Sequence, residues 1–180
     1  MEDRVIEDPV LRQRFRFGEP VDDTLDVEVW VDPAGGVTPH IHPVIEERFE
    51  VLEGRPSFLA GRKWQVASPG ETIVVPPGLR HAYRNKSDGV VHMVCHATPP
   101  STLQPFLEDT AALSRAGKIT RQGLPTSFDA LLQAAVVVER YRDMVTLLFP
   151  PLPPPAVQRV VMPLLARLGE RRGYRASIAA

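Results

Sequence analysis

The chain has 180 residues, 43% of them hydrophobic and 24% charged. That is enough to bury the core of one ordinary domain, and it excludes a wholly disordered protein. Lys and Arg number 21 against 22 Asp and Glu, which excludes a strongly basic nucleic-acid binder. Proline is the outlier, with 19 residues, and with 12 glycines it points to many turns and short strands rather than long helices. Cys95 is the single cysteine, so no intrachain disulfide forms and no oxidising compartment is required. The start, Met1-Glu-Asp-Arg-Val-Ile-Glu-Asp, is acidic and is not expected to act as a signal peptide. No apolar run is long enough for a spanning helix, and a cytoplasmic location is the expectation.

Charge is uneven along the chain. Residues 1–54 carry 14 acidic and 5 basic side chains, whereas Arg159–Arg175 holds five arginines and one acid, Glu170. Strand patterning fills the first hundred residues. Leu11–Phe17 and Leu25–Asp32 alternate apolar and polar positions, the period of a strand with one buried and one wet face. Further short strands are expected at Phe49–Leu52, Ser57–Ala60, Lys63–Ala67, Thr72–Val75, His81–Arg84 and Val90–His96, separated by Gly- and Pro-rich turns. After Pro99-Pro100 the pattern turns helical. Leu103–Ala116 and Ser127–Phe149 read as helices, with Ser127 as N-cap of the second. The proline run 150–155 ends that helix. A last helix, Ala156–Leu168, carries one stripe of Val157, Val160, Val161, Leu164, Leu165 and Leu168 and should kink at Pro163.

Two stretches carry the chemistry. In the first, His40 and His42 are two residues apart, so on a strand both imidazoles face the same way, a half-site for a divalent metal. Glu47 follows five residues later, and Gly54 seven after that. In the second, Gly70, Pro76 and Gly78 precede His81, and Asn85 follows it. These two stretches resemble the paired motifs of the cupin superfamily, G-x5-H-x-H-x3,4-E-x6-G and G-x5-P-x-G-x2-H-x3-N. The second is matched in full, and the first departs only at its leading glycine, because Gly35 leaves four residues before His40. The 15 residues between the motifs suit a small cupin, and the resemblance covers roughly residues 22–98.

The resemblance implies a mainly β protein, an antiparallel double-stranded β-helix (a cupin or jelly-roll barrel), over residues 1–99. Residues 100–180 would form a C-terminal helical extension packing on the barrel or on a dimer partner. It implies metal ligands His40, His42, Glu47 and His81 around one divalent transition metal, Fe, Mn, Cu, Ni or Zn, with coordination positions left open. Glu46 competes with Glu47 for the ligand role, and spacing prefers Glu47. Glu47 is also the candidate catalytic residue, as acceptor of a substrate proton. By strand parity Phe49, Val51, Tyr83 and Asn85 are candidates for the substrate pocket. Barrel core is the alternative for Phe49 and Val51, a surface position for Tyr83, and a turn for Asn85. His92 and His96 share a face of the last strand and read as half-exposed, while Cys95 reads as a buried, inert thiol. Arg48, Arg62, Arg80 and Arg84 lie near the motifs, as mouth residues or as solvated edge charges.

The function expected is a metal-dependent enzyme acting on a small oxygen-rich molecule, a dioxygenase of quercetinase-like type or an isomerase. A non-catalytic small-ligand or metal-sensing module is the alternative, and an interaction protein working through its helical tail is the third reading. The expected partners are a small-molecule ligand and a second copy in a homodimer, to whose sheet the strand around Phe15 and Phe17 could add. No nucleic acid is expected, and membrane association of the basic C-terminal helix is not favoured.

Overall fold

The computed structural model describes residues 5–148 and 152–176. Among the described residues, eleven strands and three helices follow one another. The strands are β1 (Val5–Asp8), β2 (Gln13–Phe17), β3 (Leu25–Val31), β4 (His40–Ile41), β5 (Glu46–Glu53), β6 (Ser57–Ala60), β7 (Lys63–Val66), β8 (Thr72–Val75), β9 (His81–Arg84), β10 (Val91–Thr98) and β11 (Thr146–Leu147). The helices are α1 (Leu103–Arg115), α2 (Phe128–Arg140) and α3 (Pro155–Arg171). The strands form two sheets, ordered β1-β2-β3-β10-β5-β8 and β11-β4-β9-β6-β7. Every pairing in them is antiparallel, giving the mainly β jelly-roll barrel with a helical C-terminal part that the resemblance implies.

The period-two pattern sets which side chains enter the barrel. Leu25, Val27, Val29 and Val31 of β3 are buried, as are Val91, Met93, Cys95 and Ala97 of β10. The two sheets meet through aromatic rings. Phe49 on β5 lies 5.2 Å from Phe58 on β6 and 5.7 Å from Tyr83 on β9, between centroids, within the range of favourable aromatic pairs.

The strand around Phe15 and Phe17 pairs with β3 of its own chain, and β1, which the sequence reading did not contain, covers its other edge. Strand β2 starts at Gln13, because Arg12 has positive φ (56°) and belongs to the turn before it.

The largest departure is after α2. A single helix over 127–149 is expected from the sequence, but α2 ends at Arg140 and the chain turns through Tyr141–Met144 into β11. Phe149 lies outside the described residues. The physical reason is tertiary. Residues 146–147 pair with β4, and Met144 and Val145 are buried, a gain that a continuing helix would forgo. Ser127 does cap α2, its hydroxyl accepting from the Ala130 amide at 3.1 Å.

Helix α1 packs on β1, α2 on α1 and α3 on α2. Pro163 lies inside α3 without ending it. The apolar stripe of α3 does not pack where its pattern suggests. Val160 and Leu164 are 65% and 60% exposed, and Val157, Val161 and Leu168 are exposed with them. The face against α2 is instead the one with Gln158, Ala166 and Gly169 buried. A Cβ on Gly169 would stand 2.8 Å from the Leu132 carbonyl oxygen, so only glycine permits this close crossing.

Asp8 ties the helical part to the barrel. Its buried Oδ1 accepts from the Val10 and Leu11 amides (3.1 and 2.9 Å) and from the Ser114 hydroxyl of α1 (2.6 Å). Burial raises its pKa, against the pull of those donors. Asp8→Ala strands these donors and should cost about 2 kcal/mol, read as a lower urea midpoint at unchanged slope. An unchanged midpoint would show that this anchor contributes nothing.

Candidate metal centre

Four side chains from three strand regions converge inside the barrel. His40 lies on β4, and His42 follows one residue after that strand's end. Glu47 lies on β5 and His81 begins β9. One ligand atom from each lies within 4.8 Å of the other three. The β4–β9 ladder pairs His40 directly with His81, which sets two ligands side by side. Strand parity turns Glu47 inward, where it is 5% exposed, and leaves Glu46 on the other face. The choice between the two carboxylates thus falls to Glu47, the member of the cluster.

Backbone carbonyls orient all three imidazoles. His40 Nδ1 donates to the Thr38 carbonyl (2.8 Å), His81 Nδ1 to Leu79 (2.9 Å), and His42 Nδ1 to Met144 (2.9 Å). A carbonyl only accepts, so each Nδ1 carries the hydrogen. In the neutral ring each Nε2 then holds a lone pair, the state a metal requires. The first two carbonyls lie two residues before their histidines. The third comes from 102 residues away, beyond α2.

The electrostatics fit a cation. His81 Nε2 and Glu47 Oε2 are 2.8 Å apart, and His42 Nε2 is 3.6 Å from Glu47 Oε1. Yet His81 Nε2 and Glu47 Oε2 are both buried without a hydrogen bond of acceptable geometry. Two orphaned polar atoms facing a third and fourth donor atom are what a divalent ion satisfies. The donor set, three imidazoles and one carboxylate, suits Fe, Mn, Cu, Ni or Zn. Burial, reinforced by the His81 and His42 charges, lowers His40 to about 3 and keeps it neutral. Burial would raise Glu47, but His42, His81 and His40 outweigh it and hold the carboxyl at about 2.

A cavity of about 170 Å³ adjoins the cluster, with His40, His42 and Glu47 on its wall. Of the residues expected to shape a pocket, Phe49 and Tyr83 line it. Val51 is fully buried in the barrel core and lies outside the lining. Asn85 also lies outside it and holds a turn. Its Nδ2 donates to the Val31 and Gly89 carbonyls, and its Oδ1 accepts from Ser87. Cys95 is buried as expected, with its pKa pushed well up by burial and by Glu47. Its thiol donates to Glu47 Oε1 at 3.7 Å, a contact the sequence did not reveal. His92 and His96 point away from the cluster, against Glu28 (2.8 Å) and Asp26 (2.6 Å) of β3. Arg48, Arg62, Arg80 and Arg84 are exposed, and none lines the cavity. The sequence reading also missed the cavity wall supplied by α1. Leu103, Phe106, Leu107 and Thr110 recur at helical spacing, a signal legible beforehand but without an assigned face.

The model of the cupin domain family matches residues 27–97, which span both ligand stretches. Residues 27–97 form a cupin domain. Solved structures with similar folds include an RmlC-like cupin from Shewanella frigidimarina, 17% identical, covering 54% of this chain and 85% of that one at a TM-score of 0.49. KdgF from Halomonas sp. is also 17% identical, with coverage of 51% and 84% and a TM-score of 0.47. The polyketide cyclase RemF from Streptomyces resistomycificus is 24% identical, with coverage of 49% and 66% and a TM-score of 0.45. No curated protein matches the chain. Among the described residues, no helix is long and apolar enough to cross a membrane.

The cluster of this cupin makes the metal-free protein acid-sensitive. The unfolded chain protonates His40 near 6.5, while the folded protein resists until about 3, so stability falls as pH drops through that interval. Glu47, at about 2 when folded against 4.5 unfolded, contributes stability that is present above 4.5 and lost as pH falls through 2. His81 is raised, because Glu47 overcomes its burial. Its contribution is present below 6.5 and fades as pH rises through the raised value. In chelator-treated protein, Tm should decline from pH 6.5 toward 4.5, and His40→Gln should flatten that decline. Equal slopes in the two proteins would contradict the assignment to His40.

Proposed function

We propose that this cupin is a metal-dependent enzyme of small-molecule metabolism, holding one divalent ion through His40, His42, Glu47 and His81. The observation that carries this reading is the juxtaposition of three oriented imidazoles and one buried carboxylate with a cavity that reaches three of the four. A metal held only for structure has no use for such a cavity. When bound, the ion supplies Lewis acidity or a redox centre, which suits dioxygenase-type or isomerase-type chemistry on an oxygen-bearing substrate.

The chain's own residues supply the rest. Three carbonyl-anchored rings hold their Nε2 atoms in place. Glu47 is ionised at neutral pH and is the one acidic side chain among the described cavity-lining residues, so a proton leaving the substrate has its carboxylate as acceptor. A carboxyl held near 2 is a weak base, so it would accept that proton only transiently before passing it on. Phe49 and Tyr83 border the cavity and help keep water from the reacting atoms.

Protein purified without chelator or nickel resin should contain close to one divalent transition ion per chain by plasma mass spectrometry. His40→Ala and His81→Ala should each lower that content roughly tenfold or more at equal protein concentration. Iron, manganese or copper would direct assays to dioxygen consumption, and zinc or nickel to isomerisation. Absence of metal, even after reconstitution, would overturn the proposal. A ligand that binds the loaded protein and is recovered unchanged would favour the sensing module.

A further inference from the structure

The cavity's chemistry narrows the ligand further than the metal cluster does. Its polar side chains are nearly all engaged elsewhere. Tyr83 donates its hydroxyl to Gln13 Oε1 at 2.8 Å. Thr110 returns its hydroxyl to the Phe106 carbonyl of its own helix at 2.9 Å, and the Cys95 thiol is turned on Glu47. Thr38, whose carbonyl holds His40, belongs to the metal end. Gln13 also lines it, with its Oε1 taken by that Tyr83 bond. Nearly all the rest of the wall is hydrocarbon. Phe15, Val27 and Val29 line it from the barrel, and Leu103, Phe106 and Leu107 from α1. Ala134, Val137 and Val138 line it from α2, with Val145 and Leu147 from the segment that follows. No arginine or lysine is among the described lining residues, so none of these pairs with a second anionic group.

A polyhydroxylated ligand would lose its water along this wall and regain few hydrogen bonds in return. An apolar body is favoured by the same wall. We infer that this cupin takes a ligand with an apolar, ring-sized body and a single oxygen-donor group at one end, the body lying against α1 and α2 and the oxygens facing the histidine cluster. The volume of about 170 Å³ is close to the roughly 150 Å³ of an apolar cavity that takes up one benzene ring. This inference rests on the proposed metal site and restricts its oxygen-bearing substrate to one polar end. It also gives the helical part a role, because α1 and α2 carry the contacts that choose the body.

Two hydroxamates test it, since they share a metal-binding head and differ only in body. Calorimetry with the zinc-loaded protein should show benzohydroxamate binding at least roughly tenfold tighter than acetohydroxamate, the gain expected for burying a phenyl group. Leu107→Gln, which makes the α1 wall polar, and Ala134→Leu, which fills the space, should each erase that ratio and leave acetohydroxamate affinity unchanged. Equal affinities in the unaltered protein, with acetohydroxamate bound, would overturn this inference alone and leave the metal reading standing. A protein that retains no zinc and binds neither compound would overturn both.

Discussion

A strand of two residues carries His40 and leads directly to His42, two members of the candidate metal cluster, and it cannot hold itself in place. Strand β4 comprises only His40 and Ile41, and it makes one ladder pair with β9, His40 to His81. Its other edge would be open to solvent within the barrel sequence alone. Residues from beyond α2 close it. Thr146 and Leu147 pair with Ile41 and His40, the Leu148 amide donates to the Pro39 carbonyl at 2.8 Å, and the Met144 carbonyl takes the His42 Nδ1 hydrogen. A histidine pair with one ring nitrogen each within 4.8 Å of Glu47 and His81 is therefore clamped from both sides. The clamp depends on a segment more than a hundred residues away in sequence.

The same clamp sets the electrostatic cost of the site. Glu47 and His81 are nearly excluded from water, and burying such groups is unfavourable unless they face one another or an ion. Parity on β5 and β9 brings them together, but orienting the three imidazoles takes main-chain carbonyls, because a free ring could turn Nδ1 inward. Two of those carbonyls come with the local turn. The third comes with Met144, so the burial of Tyr141, Met144 and Val145 helps to decide whether His42 is presented correctly.

Much of the barrel and all four members of the His/Glu cluster were legible in the sequence, because a period-two pattern and a fixed histidine spacing are local signals. Ser57–Ala60, Thr72–Val75 and His81–Arg84 have the same limits in sequence and structure. What was not legible depends on contacts distant in sequence. Strand β11 lies in a stretch whose apolar spacing continues that of α2, and only its partner β4 distinguishes strand from helix there. Val51 and Phe49 share parity, and the cavity's position, set by helices, admits one and not the other. On α3 the apolar stripe is the stronger pattern, yet the small residues Ala166 and Gly169 decide the packing, since close approach to α2 depends on what is missing from a side chain.

The division of labour between backbone and side chain has a consequence for specificity. The C-terminal part holds His40 and His42 through main-chain groups, namely the β11 ladder and the Met144 carbonyl, which survive most substitutions. It shapes the cavity through side chains such as Leu107 and Ala134, which do not. Changes on the inner faces of α1 and α2 can therefore alter the cavity while the histidines keep their geometry, whereas a break in residues 144–148 disturbs both, because Val145 and Leu147 also line the cavity. On the proposed function, two tasks that a barrel of this size would otherwise combine on its own strands would be separated, with an ion fixed by hydrogen-bonded backbone and a ligand chosen by helix packing.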